Sequence, residues 1–505
     1  MKVLLVYPNM RHESLVPPSI ALLSRILKNE GIEVMLFDST DYDVNLDQID
    51  TDKIRRNDLQ VIPYKSIERV SKGDIFSGFK KMVGEFSPDL IAMTSTESTF
   101  LLGISFLHAL RENEDEHIPT ILGGVFATFA PLLVMRYPEI DMIALGEGEE
   151  VILNLCRSMS QGRDYKKIVG IWAKDKDGSI IKNPFPHVVD IDKNPTNLDI
   201  NLFDDHRLCR PMAGKMYRML SVETHRGCPY TCRFCNSPAQ VRLHRQEGAG
   251  EFFRKKSIEK VREEILYYIN NFKINYVFFW ADTFFAYTPK EFDDFIEMYK
   301  EIRLPFWCQT RAETILADKN RIKKLKEIGL HYMSFGLEHG NEKFRLGVLG
   351  RTMSNDVLRE AFKITEESGV PFAVNNIIGF PGETRDLVFD TIELNREINS
   401  TNRLCSIFMP YHGTPLYDLA IEKGYLNENV ICPSNNEEAV MNMSTMSREE
   451  ITGLSRTFVL YTKFPKSRWP EIKIAESATD EGRRALEILR KEYIDTYLPK
   501  DILGR

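Results

Sequence analysis

Three cysteines fall within eight residues of this 505-residue chain, in the segment Cys228-Pro-Tyr-Thr-Cys232-Arg-Phe-Cys235. Spaced C-x-x-x-C-x-x-C, their thiolates can hold three irons of a [4Fe–4S] cube and leave the fourth iron without a protein ligand. That open iron can take the amino and carboxylate groups of S-adenosylmethionine. The reduced cluster can then pass one electron to the sulfonium and break a carbon–sulfur bond. Zinc is the alternative. It needs four ligands closed around the ion, and His225, three residues before Cys228, is a candidate for the fourth place. Zinc sites are more often built from paired knuckles, whereas this is a single three-cysteine loop, which favours the cluster. Cys156, Cys209, Cys308, Cys405 and Cys432 stand alone, without the spacing of a second cluster or of a disulfide framework.

The loop follows a β-rich run, Met219–Thr224, that opens an alternation of strand and helix patterns. Further strands are expected at Tyr276–Trp280, Phe306–Gln309, Tyr332–Phe335, Phe372–Ile378 and Leu404–Phe408. Helices are expected between them at Ile258–Asn270, Pro289–Ile302, Asn320–Ile328, Asn355–Ser368 and Thr384–Ile398. Six βα units imply an α/β partial barrel with its site at the C-terminal ends of the strands. An earlier alternation, with strands at Lys2–Tyr7, Glu33–Asp38, Leu90–Thr94, Thr120–Leu122 and Met142–Ala144, implies a doubly wound, Rossmann-like parallel sheet. Asp41–Gly73 is charged and irregular and reads as an insertion. The division expected is a doubly wound domain at 1–160 and a linker at 161–215. A partial barrel at 216–415 and a mostly helical region at 416–505 follow. The linker carries a small hairpin around Asp177-Gly178.

Hydrophobic residues at 43% and charged residues at 28% permit a packed core throughout. The net charge of −7 argues against a partner held chiefly through phosphates, so no nucleic acid is expected. No run approaches the roughly 18 apolar residues of a membrane span. The apolar start, Met1 to Pro8, is too short for a signal peptide and lacks a small-residue cleavage site, so it reads as a buried strand of a cytoplasmic protein.

With these motifs the chain resembles the radical S-adenosylmethionine (SAM) superfamily, and more closely its cobalamin-binding branch, over about residues 1–430. The resemblance implies a role at each matching position. Phe234 would lie against the adenine. Asp282, in Ala281-Asp282-Thr283-Phe284, would face the methionine amino group. Gln309 and Arg311 would bind ribose and carboxylate. Glu338, in Gly336-Leu337-Glu338-His339-Gly340, would lie near the ribose. Gly379 and Gly382, in Gly379-Phe380-Pro381-Gly382-Glu383-Thr384, would form a turn near the adenine. Each has a plainer reading: a helix cap for Asp282, a solvated salt bridge for Arg311, a tight turn for the glycines. Their recurrence after five different strands on one face favours the site.

A doubly wound domain also invites a dinucleotide, and Asp38 would suit a ribose. The loop Pro8-Asn9-Met10-Arg11-His12-Glu13 has no glycine to let a pyrophosphate approach, which argues against NAD. The domain instead resembles a cobalamin-binding module. The matching pieces are Val16-Pro17-Pro18-Ser19, Thr94-Ser95-Thr96, Gly123-Gly124-Val125-Phe126-Ala127-Thr128 and Gly146-Glu147-Gly148-Glu149. Two departures matter. The D-x-H-x-x-G pattern is absent, with His12 the nearest histidine, and Phe126 stands where relatives often carry histidine. The resemblance therefore implies cobalamin without a protein histidine on cobalt; the alternative is a related domain that has lost the cofactor.

The leading expectation is a cobalamin-dependent radical methyltransferase acting on an unactivated carbon, or less often on phosphorus. One SAM would yield a 5′-deoxyadenosyl radical. A second would methylate cob(I)alamin, and methylcobalamin would pass the methyl to the substrate radical. An external one-electron reductant such as ferredoxin or flavodoxin is implied, with a small-molecule, lipid or peptide substrate. The runner-up keeps both cofactors but performs cyclisation, ring rearrangement or oxidation. A tRNA methylthiotransferase would need a second three-cysteine cluster in the N-terminal domain, where Cys156 is the sole cysteine. A non-catalytic cobalamin sensor leaves the cysteine loop unexplained. Trp280, Phe284, Phe285, Tyr287 and Tyr411 could line a substrate pocket or pack a core. Cys308 suits a small buried hydrophobe, and His412 is a candidate acid–base group.

Overall fold

The computed structural model describes residues 1–9, 15–43, 71–111 and 117–497. His12 and residues 44–70 of the insertion lie outside these. Strands β1 (Lys2–Tyr7), β2 (Glu33–Asp38), β3 (Leu90–Thr94), β4 (Thr120–Gly123) and β5 (Met142–Ala144) form a parallel sheet in the order β2-β1-β3-β4-β5. Val3 to Val6 of β1 are buried, as in a strand covered on both faces. The helix Pro18–Asn29, with proline in its first turn, carries the chain from β1 to β2 and buries Ile20, Ala21 and Leu27. From β1 the chain goes to one side for β2 and to the other for β3. Its loops therefore part at the C-terminal ends of these strands and leave a crevice there.

The hairpin expected in the linker belongs to this sheet. Its strands, β6 (Ile171–Lys174) and β7 (Ile180–Lys182), pair antiparallel and cover the free edge of β5, with Met142 opposite Ala173. β8 (Cys209–Met212) runs antiparallel at the edge of the second sheet, beside β9 (Lys215–Glu223). A two-residue ribbon, β10 (His225–Arg226) with β11 (Arg254–Lys255), flanks the cysteine loop.

The second sheet continues from β9 through β12 (Tyr276–Trp280), β13 (Phe306–Arg311), β14 (Leu330–Glu338) and β15 (Phe372–Ile378) to β16 (Asn402–Ile407), all parallel. It is an open, curled half-barrel clad by the helices Ile258–Phe272, Pro289–Ile302, Arg321–Ile328, Asn355–Ser368 and Arg385–Glu397. The strand β14 is longer at both ends than its sequence pattern indicates, and it delivers Glu338 to the barrel mouth. The C-terminal region is largely helical, at Pro415–Glu422, Arg448–Lys463, Trp469–Ala475 and Asp480–Tyr497. The helix Arg448–Lys463 brings Ile451 against the turn at Gly379. Among the described residues no helix is long and apolar enough to cross a membrane.

Candidate active site and cofactor cavity

The cysteine loop leaves β10 through Gly227, whose φ of +87° needs no Cβ; one there would stand 2.9 Å from the Phe252 ring. The loop is tied to the barrel from outside. Arg233 N–H donates to Leu349 O, Arg233 Nη1 to Gly347 O, and Leu416 N–H to Arg233 O. Cys228 and Cys232 are buried and Cys235 is half-buried; all three thiols are free. The Thr283 hydroxyl lies 3.6 Å from Cys228 Sγ, and Arg311 Nη1 donates to Cys232 Sγ at 3.0 Å. Cys235 caps the helix Asn236–Gln246, whose positive end favours a thiolate. Burial pushes the Cys228 and Cys235 thiols up, so the metal-free loop holds protons that iron must displace.

The spread of the sulfurs bears on zinc. Thiolates about 2.3 Å from one tetrahedral ion lie roughly 3.8 Å apart. Here the three sulfurs do not all lie within 4.8 Å of one another, nor does any set of three drawn from them and His225. His225 Nδ1 meets the Thr224 hydroxyl at 2.8 Å, its ring packs on Tyr287, and burial pushes its pKa down to about 3. The donor set fits a multi-iron cluster.

Around the loop, the barrel mouth gathers most of the residues expected to meet SAM. Phe234 packs on Phe380 of the Gly379 turn, with ring centroids 5.8 Å apart. Glu383 shapes that turn, since one of its oxygens accepts the Gly379 and Phe380 N–H groups. His339 Nε2 lies 3.0 Å from its other oxygen, while Asn341 N–H donates to His339 Nδ1. The strand ends of β14 and β15 are thereby locked together. Glu338 takes the left-handed φ of +68°, an uncommon conformation for a glutamate, and pairs with Arg351 at 3.1 Å. Burial raises its pKa against the pull of Arg351 and Arg311. Asp282 stays open at the mouth, with the Ser237 hydroxyl donating to it; crowding by protein atoms raises its pKa. Gln309 lies half-buried on β13, and Gly382 takes a positive φ in the turn after β15.

A cavity of about 410 Å³ separates the N-terminal sheet edge from the barrel. Thr94, Gly123, Gly124, Gly146, Glu147 and Gly148 line it from the sheet side. Gly124 has φ +105°, and a Cβ there would stand 2.6 Å from Ser95 O, so this close turn admits glycine alone. Two expected contacts differ. Ser95 is buried outside the lining, and Thr96 faces a smaller cavity of about 190 Å³ with Glu97, Phe126, Asn236 and His412. Successive residues at a strand end point to opposite sides, which separates Thr94 from Ser95.

Glu147 also does something other than reach into the cavity. Arg226 Nη1 meets Glu147 Oε1 at 2.8 Å and Glu149 Oε1 at 2.7 Å, while Arg226 Nε meets Glu223 Oε1 at 3.0 Å. Arg254 also pairs with Glu147. Burial alone would push the Glu147 carboxyl up; the Arg254 and Arg226 guanidinia outweigh it and hold it below the usual carboxylate range. A buried charge network thus joins the glycine turn of one sheet to a residue two places before Cys228.

Residues 222–394 match the family model of the radical SAM superfamily. That segment is a radical SAM domain. It is 28% identical over 395 residues to an uncharacterized methyltransferase of Pyrococcus horikoshii, covering 78% of this chain and 82% of that one. It is 25% identical to an anaerobic magnesium-protoporphyrin IX monomethyl ester cyclase of Rubrivivax gelatinosus, covering 76% of this chain and 67% of that one. Its fold is that of the radical SAM methyltransferase TsrM from Kitasatospora setae, solved with cobalamin and a [4Fe–4S] cluster. The TM-score is 0.64 at 16% identity, over 98% of this chain and 99% of that one.

Several residues of this site escape sequence reasoning. Arg226, Gln240, Phe252 and Lys256 line the cavity from the barrel side and match none of the motifs read above. Trp280, which the sequence offered as a pocket or core aromatic, lines it too, and at 43% exposure it is the one aromatic of β12 left open at the strand end. The position of Arg226 next to the cysteine loop was the available signal. His412 is buried against Glu97, its Nδ1 2.9 Å from Glu97 Oε1, and joins the two domains beside the smaller cavity.

Proposed function

We propose that this enzyme is a cobalamin-dependent methyltransferase that moves a methyl group from SAM to an unactivated carbon. One observation carries the reading: the glycine-edged cavity of about 410 Å³ opens between the sheet edge and the barrel, and Arg226 links its wall to the cysteine loop. Among the described residues, which do not include His12, no histidine lines the cavity, which suits cobalamin held without a protein histidine on cobalt. When bound, the cluster supplies the electron that cleaves SAM, and cobalamin serves as methyl carrier.

The chain's own residues hold and orient. Cys228, Cys232 and Cys235 ligate iron. Phe234 and the Gly379–Gly382 turn cradle the adenine, Asp282 takes the amino group, and Gln309, Arg311 and Glu338 bind ribose and carboxylate. Thr94, Gly123, Gly124, Gly146 and Gly148 form the edge on which the large cofactor rests, and Glu147 braces it. The substrate is a small molecule, lipid or peptide lying between the two cofactors. The electron comes from an external carrier such as ferredoxin or flavodoxin, in the cytoplasm. A second reading, cyclisation or oxidation with the same cofactors, is favoured by the likeness to the Rubrivivax cyclase.

Anaerobic reconstitution with iron, sulfide and hydroxocobalamin tests this. About four irons and one cobalt per chain after desalting are expected. Turnover should then give methylated product, S-adenosylhomocysteine and 5′-deoxyadenosine in equal amounts. Product without S-adenosylhomocysteine refutes methyl transfer and favours the second reading; irons without cobalt refute the cobalamin assignment.

A further inference from the structure

We infer that Arg311 sets the reduction potential of the cluster through a charge-assisted hydrogen bond to Cys232, and that Tyr230 and Glu313 fix it in that position. The inference rests on the cluster reading above and adds a function for a residue that the family resemblance gives only to SAM binding.

Arg311 ends β13 and is 8% exposed. Its Nη1 stands 3.0 Å from Cys232 Sγ, a distance short for a nitrogen–sulfur bond. Its guanidinium plane lies on the Tyr230 ring, with Cζ 3.9 Å from the ring centroid. Its Nε donates to Glu313 Oε1 at 2.5 Å, and the other Glu313 oxygen is buried without a hydrogen-bond partner among the described residues. Two contacts in different directions, the Tyr230 ring and the Glu313 carboxylate, hold one planar cation against one sulfur. Tyr230 lies inside the cysteine loop itself, so the loop carries its own platform for the arginine.

Reduction adds one electron to the cluster, and part of the added negative charge falls on the ligating sulfurs. A donor bearing a full positive charge stabilises the reduced state more than the oxidised one, and burial strengthens that effect. The guanidinium stays charged at every working pH, and its rigid fork lets one nitrogen serve the sulfur while another serves Glu313. A lysine at this position would keep the charge but could not make both contacts while lying on the ring. No hydrogen bond among the described residues uses Nη2, which leaves it available for the carboxylate of SAM.

The test is an EPR-monitored redox titration, without SAM, of the full chain reconstituted with iron and sulfide, using dithionite as electron donor. In R311M the midpoint should move to more negative potential, and R311K should fall between R311M and the native protein. Y230F, which keeps the ring, should match the native midpoint, while Y230L should move part of the way toward R311M. Iron content and visible absorption identify variants that hold the cluster; if R311M loses iron, R311K and Y230L carry the comparison. An unchanged midpoint in the iron-loaded Arg311 variants overturns the inference, as does a Y230F shift equal to that of Y230L. A native chain that binds no iron refutes the cluster reading itself, and this inference with it.

Discussion

Replacing Arg226 with methionine isolates the strut between the two domains. Methionine keeps much of the side-chain length and removes the charge that meets Glu147, Glu149 and Glu223. Two of these carboxylates keep another cation: Glu147 has Arg254, and Glu223 has Lys256 at 3.9 Å. Glu149 keeps only Asn194, at 3.4 Å, among the contacts of the described residues. The variant therefore leaves about one buried carboxylate uncompensated, a loss of about 3–5 kcal/mol for a broken buried pair. A ceiling follows from proton uptake. A carboxyl with a reference pKa near 4.3 can be neutralised for about 3.7 kcal/mol at pH 7 and for about 1 kcal/mol at pH 5. The expected loss is thus about 3 kcal/mol at pH 7, shrinking to about 1 kcal/mol at pH 5. Urea unfolding of the metal-free full chain at the two pH values measures it. R226M combined with E149Q should recover more than half of the pH 7 loss. A loss below about 1 kcal/mol at pH 7, or one equal at both pH values, would refute the strut.

Alanine at Cys228, Cys232 or Cys235 should each reduce bound iron from about four per chain to near zero and abolish 5′-deoxyadenosine formation, read by iron analysis and chromatography. G124A should cost about 1–3 kcal/mol, because its φ of +105° and the Ser95 carbonyl leave no room for a methyl, and it should weaken cobalamin retention on a desalting column. Because the Glu147 carboxyl is held below its unfolded pKa, its contribution is fully present above that value, near 4.5, and is lost as pH falls through the folded pKa. The stability gap between native protein and E147Q should therefore close on acidification below about pH 4.5; a gap that widens there would contradict the ion-pair assignment.

Much of this enzyme was legible from local pattern. The C-x-x-x-C-x-x-C spacing specifies a cluster loop because its ligands are neighbours in the chain, and their meeting needs only one turn. Strand and helix periodicity gave the doubly wound sheet and the half-barrel, since alternation and amphipathicity are local properties. The hairpin was seen, but its place was not: pairing with β5 depends on an open sheet edge that no local pattern encodes.

The site's electrostatics belong to the tertiary structure. Glu147 meets Arg226 and Arg254 across 79 and 107 residues of chain, and His412 meets Glu97 across 315. No periodicity links such positions, so a sequence shows each charge but not its partner. Thr94, Ser95 and Thr96 read as one motif, yet the pleat sends them to different surroundings, one to the large cavity, one to the core and one to the small cavity. Chain neighbours could be read in order. Which charges neutralise one another, and which polar groups face a cavity, was decided only when the two sheets were brought edge to mouth.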